Sequence, residues 1–400
     1  MNPSASGWID KFGFLVRKHD DAFLGFDSLY STLKQVGFVY GINTGIPTFI
    51  VPEHKLSEDE KAKINLLCAL YFTFILKKGA TDFDVFLEQI FKFYKALELD
   101  HLSFLGKLFT GNKTSSKLEK LLESRIYLED NLISKTFNSF ITNSLLFIDV
   151  LLFKKYLTDG HRIKDYAQKI EYLAINITYH ALNSKERNKS DEKLALLLAA
   201  SLTYIESDIQ KFDGSYREQL LPQNAVWENR YLMDMACLTV WEDHSLEYRE
   251  SEFIFGIGED LGLEVSYVQQ ALADVAIFFE KNVETIPFLN EQNLGLKFYD
   301  SMGKLVNRLI LRNSKRLQKE LSESAELVTL LSKSTVRDLT KEEKKKVQSQ
   351  LLDIFKSIPS LAIFILPGGA ILLPIFVKLI PTLLPSSFDE NRVNEKEEES

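Results

Sequence analysis

The sequence is short of almost every residue type on which compact site chemistry depends. Two cysteines in 400 residues, Cys68 and Cys237, exclude a disulfide framework and a four-thiolate zinc site. Both sit in apolar helical stretches, the setting of core residues rather than nucleophiles. The six histidines (positions 19, 54, 101, 161, 180 and 244) have no zinc-ligand spacing. No phosphate-binding glycine loop and no Gly-x-Ser-x-Gly elbow occurs. No enzyme class emerges, and the expectation is a non-enzymatic protein with no cofactor. Alternating β-branched runs are scarce, and the chain has only ten prolines. Residues 1–21 hold no uninterrupted apolar run, so no secretory leader is expected. The net charge of −8 argues against a generic nucleic-acid binder and against DNA as a partner.

What is present is helical periodicity. Apolar residues recur at three- and four-residue intervals almost throughout, which predicts an all-α, multi-helix body. Ser57 and Glu60 have the spacing of a capping box, in which the cap hydroxyl accepts a free amide and the glutamate reaches back to the cap amide. Thr340 and Glu343 repeat it before a helix whose apolar stripe is Val347, Leu351, Ile354, Phe355 and Ile358. Further helices are expected over 83–97, 131–158, 162–182 and 192–206, with a turn at Thr158-Asp159-Gly160. Residues 211–224 read as a linker, and Leu261-Gly262-Leu263 as a turn before a helix capped at Ser266. The resulting division is an N-terminal helical domain (1–212), a central helical region (213–300), a basic helical region (301–356), an apolar segment (357–388) and a disordered acidic tail (389–400).

Charge is partitioned along this order. Residues 304–346 carry twelve Lys/Arg against six Asp/Glu, and residues 347–400 carry four against seven. That leaves −11 on residues 1–303. Lys304, Arg308, Arg312 and Arg316 fall at steps of four, along one slowly turning helix face. Such a face suits anionic lipid headgroups or RNA phosphates, with Lys344, Lys345 and Lys346 adding to it. A solvated face of an ordinary domain helix has the same pattern. At the other extreme, Asp243, Glu247 and Glu250 cluster in a short acidic turn where a hard divalent cation such as Ca²⁺ could be held. Acids near a helix start also simply offset its dipole. Residues 234–274, from MDMACLTVWEDHSLEYRESEFIFGIGEDLGL into the next helix, resemble the TerB family of small helical domains. That resemblance implies metal binding and membrane-associated stress complexes.

Between Lys356 and Lys378 lie 21 uncharged residues, SIPSLAIFILPGGAILLPIFV. As one α-helix they would extend roughly 30 Å, the thickness of a bilayer core. Pro367, Pro374 and Pro381 are seven apart and fall on nearly one face, and Gly368-Gly369 would admit a neighbouring backbone. Lys378 would have to snorkel toward an interface. The alternative is a buried hairpin broken at Pro367-Gly368-Gly369.

The same stretch carries Ile358-Pro359, Leu372-Leu373-Pro374, Lys378, Ile380-Pro381 and Leu384-Pro385-Ser386. This run resembles the membrane-proximal signature of the Letm family of mitochondrial inner-membrane proteins, and the chain resembles bacterial Letm-related proteins labelled biofilm-associated. The resemblance implies membrane residence, ribosome binding and, in the mitochondrial members, cation/proton exchange. No EF-hand loop is present. The leading expectation is a membrane-associated scaffold at a bacterial inner membrane, its body facing the cytoplasm, with membrane lipid and the ribosome as partners. One bent span cannot enclose a pathway, so the alternative of a cation/proton transport component requires a homo-oligomer. A soluble helical protein with a buried C-terminal hairpin is the third reading.

Overall fold

The computed structural model describes residues 1–79, 81–97, 114–126, 135–184, 189–202, 214–222, 225–241, 248–282, 303, 306–358, 361, 364, 372–385 and 388. Every regular element among them is a helix, so the all-α expectation holds for the described residues. In chain order these are α1 (Trp8–Val16), α2 (Phe26–Gln35), α3 (Glu58–Lys78), α4 (Phe83–Ala96), α5 (Thr114–Arg125), α6 (Lys135–Thr158), α7 (Ile163–Ser184) and α8 (Lys189–Leu202). After a 3₁₀ turn (Ser215–Gln219) come α9 (Val226–Val240), α10 (Tyr248–Asp260) and α11 (Val265–Asn282). A helical stretch over 306–312 leads to α12 (Ser314–Ser322), α13 (Ala325–Val336), α14 (Lys341–Ser357) and α15 (Leu373–Leu383).

Helix α3 is the axis of the N-terminal bundle. Its residues from Ala62 to Phe74 are all buried, so it has no wet face, as expected of a helix surrounded by others. Ser57 and Glu60 form the predicted capping box at its start, and Gly79 closes its end with φ +62°. The long helix α6 runs along α3, α7 packs on α6, and α9 packs on α7. Helices α10 and α11 then cover α9. The Leu261-Gly262-Leu263 turn closes α10: the Leu263 amide donates to Gly258 O and the Gly262 amide to Glu259 O, both at 2.9 Å, with Gly262 at φ +67°. Helix α11 begins at Val265, so Ser266 lies inside its first turn and is not the cap. The Glu264 carbonyl accepts the first helical amides there.

A charged knot joins α2 to this second set of helices. Lys34 Nζ donates to Asp234 Oδ1 at 2.9 Å and to Asp274 Oδ2 at 2.8 Å, while Tyr30 Oη donates to Asp234 Oδ2 at 2.6 Å. Burial opposes the Lys34 charge, but the two carboxylates more than offset it and hold its pKa above the ordinary lysine value. Beside the knot, the Arg230 guanidinium lies between the Trp227 and Tyr267 rings, 4.7 Å from each centroid, and pairs with Asp27 at 2.9 Å. The geometry locks α2, α9 and α11 into one arrangement.

The C-terminal helices form a layer of their own. Helix α13 packs against α12, α14 and α15, and α15 also touches α8 of the body. Leu327, Val328, Leu330 and Leu331 of α13 face the shared core.

Candidate functional site in the C-terminal module

Helix α14 begins where the sequence places it. Thr340 Oγ1 accepts the Glu343 amide at 3.2 Å, and Glu343 accepts the Thr340 amide at 2.8 Å. Arg337 grips the same carboxylate with both terminal nitrogens, at 2.8 and 2.6 Å. The Arg337 fork, aided by the Thr340 amide, pulls the Glu343 carboxyl down to about 2. The predicted stripe of Val347, Leu351, Ile354, Phe355 and Ile358 is buried in full. Helix α14 is further tied to α13 by Lys346 and Gln350, both bonded to Glu326, and by Ser324 to Gln350 at 2.8 Å. Ser357 Oγ reaches Glu320 of α12 at 3.1 Å.

The outer side of this layer is basic. Arg308 and Arg312 in the 306–312 stretch, and Lys315, Arg316 and Lys319 in α12, are exposed, while Val306, Leu309, Ile310, Leu317 and Leu321 point inward. The expected single helix is interrupted at Asn313, whose side-chain amide donates to Leu309 O at 2.6 Å. The interruption leaves the division into a basic and an apolar side intact. Arg312, Lys315, Arg316, Lys319, Lys341 and Lys345 have no salt bridge among the described residues. Lys344 is half-buried, and Lys346 is engaged with Glu326. Lys304 lies outside the described residues.

Of the apolar segment expected over 357–388, the structure describes 357–358, 361, 364, 372–385 and 388. Among the described residues no helix is long and apolar enough to cross a membrane. Helix α15 has 11 residues, about 16 Å at 1.5 Å per residue. Its residues Leu373, Pro374, Ile375, Phe376, Val377 and Ile380 are buried. Prolines limit it: Pro374 sits in the first turn, where no amide is needed, and Pro381 deprives the last turn of a donor. Lys378 and Pro385 are exposed. Phe355, Phe364 and Phe376 pack as a triad with centroid separations of 4.7, 5.0 and 4.9 Å. Pro359, Pro367, Gly368, Gly369 and the tail 389–400 lie outside the described residues.

Of the acidic cluster, Asp243 and Glu247 also lie outside the described residues, and Glu250 is on α10. No group of acidic, histidine or cysteine side chains suited to a metal occurs among the described residues. The acidic residues the structure does bring together are Asp234 and Asp274, on Lys34. The sequence signal for Asp234 was a charge inside the apolar run MDMACLTV, overshadowed by the denser acids that follow it.

A basic, helical layer with an apolar helix against a phenylalanine triad thus occupies the C-terminal end. Residues 339–400 match the family described as LETM1-like, RBD. Over 120 residues the chain is 28% identical to the LETM1 domain-containing protein YLH47, mitochondrial, of Saccharomyces cerevisiae. That similarity covers 30% of this chain and 24% of the yeast protein, so the chain spans about a quarter of its relative's length. No solved structure gives a significant match. The C-terminal module is Letm-like, and the match covers the residues whose prolines and leucines carry the resemblance in the sequence.

Proposed function

We propose that this chain is a non-catalytic, Letm-like scaffold whose C-terminal module binds ribosomal RNA beside a membrane surface. The observation that carries the reading is the exposed row Arg312, Lys315, Arg316 and Lys319, which has no ion-pair partner among the described residues and a buried apolar stripe behind it. Phosphate oxygens are the natural acceptors for such a row. Arginine forks onto them and lysine meets them as a point charge. The family description of the adjoining segment names an RBD, a ribosome-binding domain, which fits the same partner. The acidic remainder of the chain repels a polyanion everywhere else, so binding at this face also fixes orientation. The uncharged stretch between Lys356 and Lys378 supports membrane proximity, with the basic flank toward the anionic leaflet and the body in the cytoplasm.

The test is co-sedimentation with purified ribosomes. A variant with Arg312→Glu, Lys315→Glu, Arg316→Glu and Lys319→Glu alters only exposed positions, so its helical circular dichroism stays unchanged. It loses ribosome binding on the order of a hundredfold near physiological salt, because several phosphate contacts are reversed together. Equal binding by both proteins would refute the reading.

A further inference from the structure

The basic face carries no aromatic side chain. The chain holds 29 phenylalanines, 15 tyrosines and 3 tryptophans, yet none falls between Tyr299 and Phe355, and no histidine does either. Phe355, where the gap ends, is buried. The row Arg312, Lys315, Arg316 and Lys319 therefore presents guanidinium and ammonium groups with no ring among them. The absence matters because two forms of RNA are held differently. Single strands are gripped by stacking their splayed bases on exposed rings, within a charged groove that follows the backbone. Double-helical RNA keeps its bases stacked, and proteins meet it through phosphates and ribose hydroxyls across its shallow minor groove.

The shape of the face agrees with the second mode. On α12, Lys315, Arg316 and Lys319 are exposed while Leu317 and Leu321 are buried. At 3.6 residues per turn the three cations spread over roughly 100° of the helix surface, and the two leucines lie on the far side. The cations stand on the convex side of a packed helix, where no groove encloses a strand. The helix is also anchored, by its buried leucines and by the 3.1 Å bond between Glu320 and Ser357 Oγ. A fixed array of charges suits a stiff duplex, whose phosphates are already in place, whereas a flexible strand loses freedom on being ordered.

We propose that the Arg312–Lys319 face recognises double-helical RNA through its backbone, irrespective of sequence and in preference to single strands. The deep, narrow major groove of such RNA closes its base edges to side chains, while the wide minor groove lies open to a convex helix. This inference deepens the functional reading and rests on it: that reading names ribosomal RNA, and the face selects its paired segments.

The test titrates the full chain, by fluorescence anisotropy, against a blunt RNA duplex of about 20 base pairs, a little longer than the ~16 that one double-stranded-RNA-binding domain covers. A uridine-only strand of the same length is the comparison, and ribosome co-sedimentation is run on the same preparation. The duplex binds at least about sixfold tighter in ~0.1 M salt, because each of roughly four phosphate contacts releases about 0.9 counterion from a duplex and about 0.7 from a single strand. A duplex of unrelated sequence binds alike, and excess duplex releases the chain from ribosomes. The variant with Arg312→Glu, Lys315→Glu, Arg316→Glu and Lys319→Glu loses the duplex preference. With ribosome binding intact, a strand bound as tightly as the duplex, or a duplex preference that survives in the variant, would overturn the inference and leave the functional reading standing. Ribosome binding with neither RNA bound would also overturn it, since the contact would then be to ribosomal protein. Absence of ribosome binding by the native chain would remove the functional reading and the inference with it.

Discussion

Both carboxylate oxygens of Asp234 are occupied, one by Lys34 and one by Tyr30, and the residue is buried. Lys34→Met leaves the buried Asp234 carboxylate without a cation and costs about 3–5 kcal/mol, read from urea denaturation. Asp234→Ala costs less, because Lys34 keeps Asp274 at 2.8 Å. The double variant Lys34→Met with Asp234→Leu loses less than the two single losses together, because it removes both charges at once. Additive losses would show that the knot is not a coupled unit. The cysteines make a simpler prediction. Burial pushes both thiols well above the ordinary cysteine pKa. Neither reacts with a thiol reagent in the native state, and both react on unfolding. A fast-reacting native thiol would contradict the assignment of Cys68 and Cys237 to the core.

At the scale of single helices, α14 is the most explicit case. Its N-terminal cap was legible in the sequence because a capping box is a local signal, four residues long and independent of the remainder of the fold. Thr340→Ala removes the cap and costs about 1 kcal/mol in thermal denaturation. The Arg337 fork was not legible, since it depends on how the chain turns out of α13. Its consequence is measurable. Glu343 is held at about 2, below the ordinary glutamate value, so its contribution to stability is present above the unfolded pKa near 4.3 and is lost as pH falls through about 2. The pairing predicts a Glu343 midpoint near 2 from carboxyl carbon shifts and a higher one for Arg337→Ala; a midpoint near 4 in the native chain would contradict the pairing. The apolar segment shows the converse limit. Its composition meets the length criterion for a span, but composition does not encode that the described helix within it, α15, has 11 residues and packs against protein. Likewise the knot at Lys34 joins residues 200 and 240 positions apart, and no local pattern announces such a partner.

Across the whole molecule, charge is divided along the chain. The acidic helical body forms one continuous apolar core with the C-terminal layer, and the basic side of that layer is turned outward. On the proposed function, repulsion from the body and attraction at one face orient a polyanion, and such a contact has a characteristic dependence on salt. The most direct test is therefore the ribosome affinity of the full chain measured across a series of salt concentrations, for the native protein and the Arg312, Lys315, Arg316 and Lys319 charge-reversal variant. The account predicts a steep linear fall of log affinity with log salt for the native chain, and a slope shallower by roughly one for each phosphate contact removed in the variant. Identical slopes for the two proteins would place the contact elsewhere and contradict the assignment of this face.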